Sequence, residues 1–178
     1  MSEGVREAMI KAAWLLIAER GLEGMSTREV LARTGAPRGS VYHHFPRGRV
    51  ELIELAIEYS RQWMQDQIDA VRAETPQDVV AGYFAIWRRV VEGTDFRAGC
   101  AMAGVTTGGH DSAFLDRAAA AFNCASSALA ARLEQVGLAP AEAAQRATVL
   151  VCAAEGAVIL ARALRSSEPL TLVARQLS

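Results

Sequence analysis

Ser26-Thr27-Arg28-Glu29 opens the stretch that most restricts how this chain can fold. The Ser26 hydroxyl can accept from the Glu29 amide while the Glu29 carboxylate reaches back, a capping box that starts a helix. That helix runs to about Arg33, because Gly35 supplies the turn that follows its C-terminus. Pro37 then fits the first position of a second helix, where its fixed φ suits the turn and its missing N–H is no loss. The second helix runs to about His44, and Phe45-Pro46-Arg47-Gly48 breaks the chain. Two helices of about two turns joined by a glycine-containing turn make a helix-turn-helix.

The rest of the chain also reads as helix. Met9, Ala13, Leu16 and Ile17 form one stripe on a helix from Val5 to Arg20, which Gly21 and Gly24 end. A long helix from Arg49 to Ala73 is apolar on two faces, Leu52, Ala56, Tyr59 and Trp63 on one, Ile53, Ile57, Met64 and Ile68 on the other. Such a helix joins two layers. Thr75-Pro76 starts a helix carrying Val80, Phe84, Trp87 and Val91. Gly99 to Gly109 is small and flexible, with a short helix from Cys100 to Thr106 inside it. Helices follow from Ser112 to Val136, from Pro140 to about Leu164, and from Pro169 onward. Ala and Leu are abundant and alternating β-branched runs are rare, so the fold class is all-α. The expected division is a head, 1–48, and a helical body, 49–178, with no linker between them.

Charge separates the same two parts. Residues 1–50 hold eight Arg or Lys against five Glu, while the remainder is acidic and the whole chain carries −1. A basic head on an acidic body suits a head that meets phosphate. No stretch reaches the roughly 20 apolar residues of a membrane span, since Thr148, Glu155 and Gly156 interrupt the longest, Ala147 to Ala161. The charged, amphipathic N-terminus is unlike a signal peptide. Three scattered cysteines, Cys100, Cys124 and Cys152, read as buried small thiols, with a redox-sensing thiol as the alternative. Together these place the protein in the cytoplasm.

A recognition helix presents polar or small side chains outward and apolar ones inward. Val41 and Phe45, four apart, face the core. Arg38, Ser40, Tyr42 and His43 are left for a DNA groove. Arg38 can bond guanine or hold phosphate, and Gly39 lets backbone approach DNA. Ala36 offers no capping oxygen, which leaves the amides of the Pro37 helix free for phosphate. Thr27 and Arg28 are placed for a second phosphate and Arg49 for a third.

These residues resemble the DNA-binding domain of TetR-family regulators. The resemblance rests on Ile10, Ala12-Ala13, Leu15-Leu16, Gly21, Thr27 and Gly35, and on Gly39-Ser40-Val41-Tyr42-His43-His44-Phe45. It implies that Tyr42, His44, Thr27 and Arg38 contact the DNA backbone. Phe45-Pro46-Arg47-Gly48-Arg49, Gly99-Cys100 and Glu155-Gly156-Ala157 are similar to the LmrA/YxaF-like subgroup, with Arg49 in place of its usual Lys. Leu31 stands where the family usually has Ala, and Pro37 where it has a Ser cap. The resemblance implies a homodimeric repressor that binds a palindromic double-stranded operator and is released by a small apolar or aromatic effector.

Trp63, Tyr83, Phe84, Trp87, Met102 and Phe122 make a candidate effector pocket, although each alone also reads as plain core. Thr148, Cys152, Gly156, Ile159 and Ala163 recur at helical spacing. Glycine inside a helix is unfavourable by about 1 kcal/mol relative to Ala and marks a close backbone approach. The neighbour is either the helix 112–136 of the same chain or a partner subunit, which the family resemblance favours; Cys152, Gly156, Ile159 and Ala163 are thus the candidate dimer interface. Glu155 has three readings: pairing across that interface, a local hydrogen bond, or contact with a cationic ligand. Adjacent His43 and His44 point apart on a helix, so no metal or other cofactor is expected, and His110 reads as a polar loop residue. No phosphate loop, Gly-x-Ser-x-Gly or His-Glu-x-x-His is present, which leaves a helical enzyme with a vestigial head, or a helical adaptor, as the alternatives to a regulator.

Overall fold

The computed structural model describes residues 2–108 and 111–178. Among them every regular element is a helix: α1 Ser2–Arg20, α2 Thr27–Thr34, α3 Ser40–His44, α4 Arg49–Asp69, α5 Pro76–Gly93, α6 Ala101–Gly108, α7 Ser112–Gln135, α8 Pro140–Leu164 and α9 Glu168–Leu177. Gly109 and His110, and with them the loop reading of His110, lie outside the described residues.

The described chain forms two compact units, Met1–Ser60 with Ala101–Ala121, and Arg61–Cys100 with Phe122–Ser178. Compactness therefore divides the chain differently from the expected boundary at residue 48. The physical reason is α6. It packs on α1 so closely that a Cβ on Gly104 would stand 2.7 Å from the Ile17 carbonyl oxygen. The Leu22 amide donates to the Gly104 carbonyl at 3.4 Å. The helices α4 and α7 each contribute residues to both units.

In the first unit the expected stripe of α1 is the core: Met9, Ala13, Leu16 and Ile17 are buried, with Val30 of α2, Val41 of α3, Phe45, and Leu52 and Ile53 of α4. Ser26 caps α2 by accepting from the Glu29 amide at 3.2 Å. Only this half of the capping box forms. The Glu29 carboxylate turns instead to Arg20, 3.5 Å away. Gly35 closes α2 in the left-handed region at φ 67°, its amide bonded to the Leu31 carbonyl.

Pro37 does not start the second helix. The Ser40 amide donates to the Pro37 carbonyl at 2.9 Å, so Pro37-Arg38-Gly39-Ser40 is a turn, and α3 begins at Ser40 with Gly39 as its cap residue. This turn delays the helix by three residues and leaves α3 five residues long, too short for the anion-binding helix end expected at Pro37.

The second unit is built on α5, α8 and α9, which pack on one another. Thr75 and Asp78 form a complete capping box at the start of α5. Val80, Phe84, Trp87 and Val91 are buried as their spacing requires, with Tyr83, Ile86, and Leu129 and Leu133 of α7. The buried face of α8 is mostly alanine, Ala143, Ala147, Ala154, Ala157 and Ala161, which allows close helix packing. By length and hydropathy α8 is apolar enough to cross a membrane, with 39% of its most apolar window buried, so the expectation that no segment reaches that limit is corrected. The cause is that α8 is apolar on its exposed side as well.

The cysteines also differ from expectation. Cys152 is exposed, and Cys100 and Cys124 are half-buried. The Cys124 thiol donates to the Gln65 side-chain oxygen at 3.2 Å, because α4 and α7 present polar side chains where a fully apolar site was expected.

Candidate DNA-binding surface and effector site

The turn and α3 present a polar, exposed surface. Val41 and Phe45 point inward, leaving Tyr42 75% exposed, more than any other large hydrophobic side chain among the described residues. Gly48 lies under Tyr42: at φ 61° a Cβ there would stand 3.6 Å from Tyr42 Cε1. Pro37, Arg38, Gly39 and His43 are exposed, and Ser40 and His44 are half-buried on the same segment. The His43 and His44 rings meet edge to face at 4.9 Å. Thr27 and Arg28 occupy the first turn of α2, half-buried and exposed respectively. Among the described residues no group of side chains is arranged to hold a metal.

What sets this surface apart is how the basic side chains are used. Lys11 pairs with Glu7 at 2.7 Å, and Arg20 with Glu29. Arg33 bonds Glu19, whose side chain is nearly buried, and so ties α2 to α1. Arg47 bonds Glu54 and holds that carboxyl below the usual carboxylate range. Arg6 lies over the Phe45 ring at 5.4 Å. Arg49 donates to the Met25 carbonyl at 3.0 Å and the Leu22 carbonyl at 2.7 Å. It therefore pins the loop before α2 to the start of α4. Arg28 and Arg38 alone among the described basic residues up to position 50 have no intramolecular partner. The Glu19–Arg33 ion pair was not legible in the sequence, because it joins residues on different helices.

The six aromatic and sulfur residues picked out as an effector pocket do not all converge. Met102 is buried in the first unit, and the other five belong to the second. Tyr83, Phe84 and Trp87 are buried on α5, while Trp63 and Phe122 are half-buried against the same core. Phe84 turns toward α9 and lines a groove of about 210 Å³ with Ala81, Ala85, Arg88, Leu170 and Ala174. Tyr83 instead lies within the electrostatic reach of a polar group that spacing alone did not assemble. Glu155 on α8 carries an Oε2 with no hydrogen-bond partner, and the Trp87 indole Nε1 likewise has none. Burial pushes the Glu155 carboxyl up to about 7, against a smaller opposing effect of a hydrogen bond from the Cys100 thiol. Burial also raises Tyr83, and Glu155 adds to that effect. The Trp87 indole lies near enough to the Tyr83 hydroxyl to oppose the shift, but outside hydrogen-bond geometry. The segment carrying Cys100 is held on α8 by Arg162, which donates to the Arg97 carbonyl at 2.7 Å.

Cys152, Gly156, Ile159 and Ala163 are all exposed along one side of α8, beside Val149, Leu160 and Leu164. A Cβ on Gly156 would meet nothing within 4 Å. The neighbour that a mid-helix glycine implies is therefore not α7 of the same chain.

Residues 9–56 match the family model of bacterial regulatory proteins of the tetR family, and residues 76–176 match the LmrA/YxaF-like transcriptional regulator C-terminal domain. An uncharacterized HTH-type transcriptional regulator of Mycobacterium tuberculosis is 37% identical over 98% of this chain and 93% of its own. The HTH-type transcriptional regulator LmrA of Bacillus subtilis is 25% identical, covering 93% of this chain and 90% of its own. A regulatory protein TetR from Rhodobacter sphaeroides shares the fold with a TM-score of 0.84 at 19% identity, over 96% of this chain and 95% of that one.

Proposed function

The chain belongs to the TetR family of bacterial regulators, with an LmrA/YxaF-like C-terminal domain, and from that premise we propose that it is a homodimeric repressor released from a palindromic operator by a small apolar effector. It is a DNA-binding transcriptional regulator, like its named relatives, and not an enzyme. The observation that carries the operator reading is the pair of uncommitted arginines. Arg28, in the first turn of α2, and Arg38, in the turn before α3, have no carboxylate to neutralise them. Phosphate contacts by Arg28, Arg38, Thr27, Tyr42 and His44 set the position of the head, and Ser40 and His43 read base edges, with Pro37 and Gly39 giving backbone access. Arg49 acts through the fold it pins as well as through its charge.

The exposed apolar side of α8 supports the dimer. Val149, Ile159, Leu160 and Leu164 are each more than half exposed on one helix, and such a surface marks a protein contact. Two heads joined in this way meet successive major grooves, and effector bound in the body selects a state whose heads no longer match them. A protein that acts on bacterial DNA works in the cytoplasm.

The test is a titration of the protein against the DNA upstream of its own coding sequence at several salt concentrations. An inverted repeat should be bound as a dimer, with affinity falling steeply as salt rises. A flat salt response, or no preferred inverted repeat, overturns the reading.

A further inference from the structure

We propose that the groove between α5 and α9 binds a small carboxylate on an apolar body of about one ring, with Arg88 and Arg175 clasping the carboxylate. This goes beyond the effector reading above, because the groove binds such a molecule whether or not binding moves the heads.

The groove has an apolar floor and a cationic rim. Phe84 of α5 and Leu170 and Ala174 of α9 line the floor, the first two buried. Arg88 and Arg175 line the same groove and are exposed. Neither has an ion-pair or hydrogen-bond partner among the described residues, whereas the adjacent Arg89 bonds Gln67 at 3.2 Å. No acidic side chain lines the groove.

Helix direction brings the two charges together. Gln77, in the first turn of α5, donates to the Ser178 carbonyl just past the end of α9 at 3.5 Å. Arg88, toward the other end of α5, shares the groove with Leu170 near the start of α9. The two helices therefore run in opposite directions. Side chains lean toward the N-terminus of their own helix, so Arg88 and Arg175 lean toward each other from opposite ends of the groove. Two unpaired like charges above an apolar floor repel, and an anion between them relieves the repulsion.

The other groups at the groove decide which anion fits. The Thr171 hydroxyl donates to the Ser167 carbonyl at 3.3 Å and the Ser178 hydroxyl to the Ala174 carbonyl at 2.8 Å, so both O–H groups are spent. Amides inside helices are bonded within the helix. Only the two guanidinium forks remain as donors, and a fork matches the planar carboxylate. A phosphate has more acceptor oxygens than two forks satisfy. The groove measures about 210 Å³, below the roughly 300 Å³ at which pockets for drug-sized ligands begin, which limits the apolar body to one ring with a short chain. No residue of α8 lines the groove, and Leu172, exposed on α9, lies outside it. The site is thus distinct from the exposed apolar side of α8.

Calorimetric titration of the full-length protein with 3-phenylpropionate and its neutral amide, 3-phenylpropanamide, tests this. Wild type should bind the acid about tenfold tighter at low salt, the size of one charge-assisted hydrogen bond. The preference should shrink as salt rises, because the arginines are exposed. Arg88→Gln and Arg175→Gln should each reduce the preference and leave amide binding unchanged. Arg72→Gln, which removes an exposed arginine outside the groove, should leave it intact. Ala174→Phe should fill the groove and weaken both probes while the melting temperature stays near native. Equal binding of acid and amide, or no binding of either, overturns the proposal and leaves the effector reading standing. An equal loss in Arg72→Gln reduces the preference to general charge attraction and overturns it too. If Arg88→Gln or Arg175→Gln changes the sedimenting species and leaves the acid preference intact, the groove is a contact between subunits and the ligand site is refuted.

Discussion

Arg28 and Arg33 both stand on α2, yet the fold gives them opposite tasks. Arg33 is committed to Glu19, whose side chain is only 7% exposed, whereas Arg28 has no partner. Replacing Arg28 or Arg38 with Ala should weaken operator binding and reduce the slope of log affinity against log salt by about 0.9 for each phosphate no longer neutralised. Fluorescence anisotropy across a salt series measures both. Arg33→Ala should leave the salt slope unchanged and lower the melting temperature. Glu155 gives a second residue-scale outcome. Its carboxyl sits at about 7 in the folded chain against an ordinary value of 4.5, so the folded state holds the proton more tightly. The stability this brings is complete below the unfolded value and is lost as pH rises through the folded one. Glu155→Gln has nothing to ionise. Its stability relative to wild type should therefore grow by about 2–3 kcal/mol between pH 5 and pH 8. Denaturant unfolding at the two pH values checks this, and a constant difference refutes it.

Two helical glycines show how differently elements use the same residue. Gly104 of α6 is pressed on α1, where an added Cβ would be 2.7 Å from a backbone oxygen. Gly104→Ala must shift α6 and should destabilise the protein by about 1–3 kcal/mol, a fall of several degrees in a thermal melt. Gly156 of α8 has open space around it. Within one subunit Gly156→Leu costs little, so any large effect must come from a partner subunit. The expected outcome is dissociation of the dimer by sedimentation together with weaker operator binding, while helix content by circular dichroism stays native. A variant that remains a dimer and binds normally removes Gly156 from the interface.

In the proposed dimer, effector and DNA are linked through one equilibrium. An effector that lowers operator affinity by some factor must itself bind more weakly by the same factor when the operator is present. Measuring effector affinity with and without saturating operator duplex checks this reciprocity. Equal affinity in the two conditions rules out release by that compound. The proposed dimer matters here because linking two heads multiplies operator affinity through effective concentration, which a single small head lacks.

Local sequence accounts for the helices and for the kind of protein. Periodicity and caps located α5, α7 and α8 nearly to the residue, since Thr75-Pro76, Gly137 and Pro140 act through local backbone geometry. The spacing of Val41 and Phe45 set which side of α3 faces outward, for the same local reason. Long-range packing settled what local rules do not reach. It allied α6 with α1, helices far apart in the chain, and so moved the compact boundary away from residue 48. It set Phe84 in the α9 groove and brought Tyr83 within reach of the Glu155 charge. It also chose which arginines are neutralised. Ion pairing depends on distances between elements, and only the folded chain sets those distances.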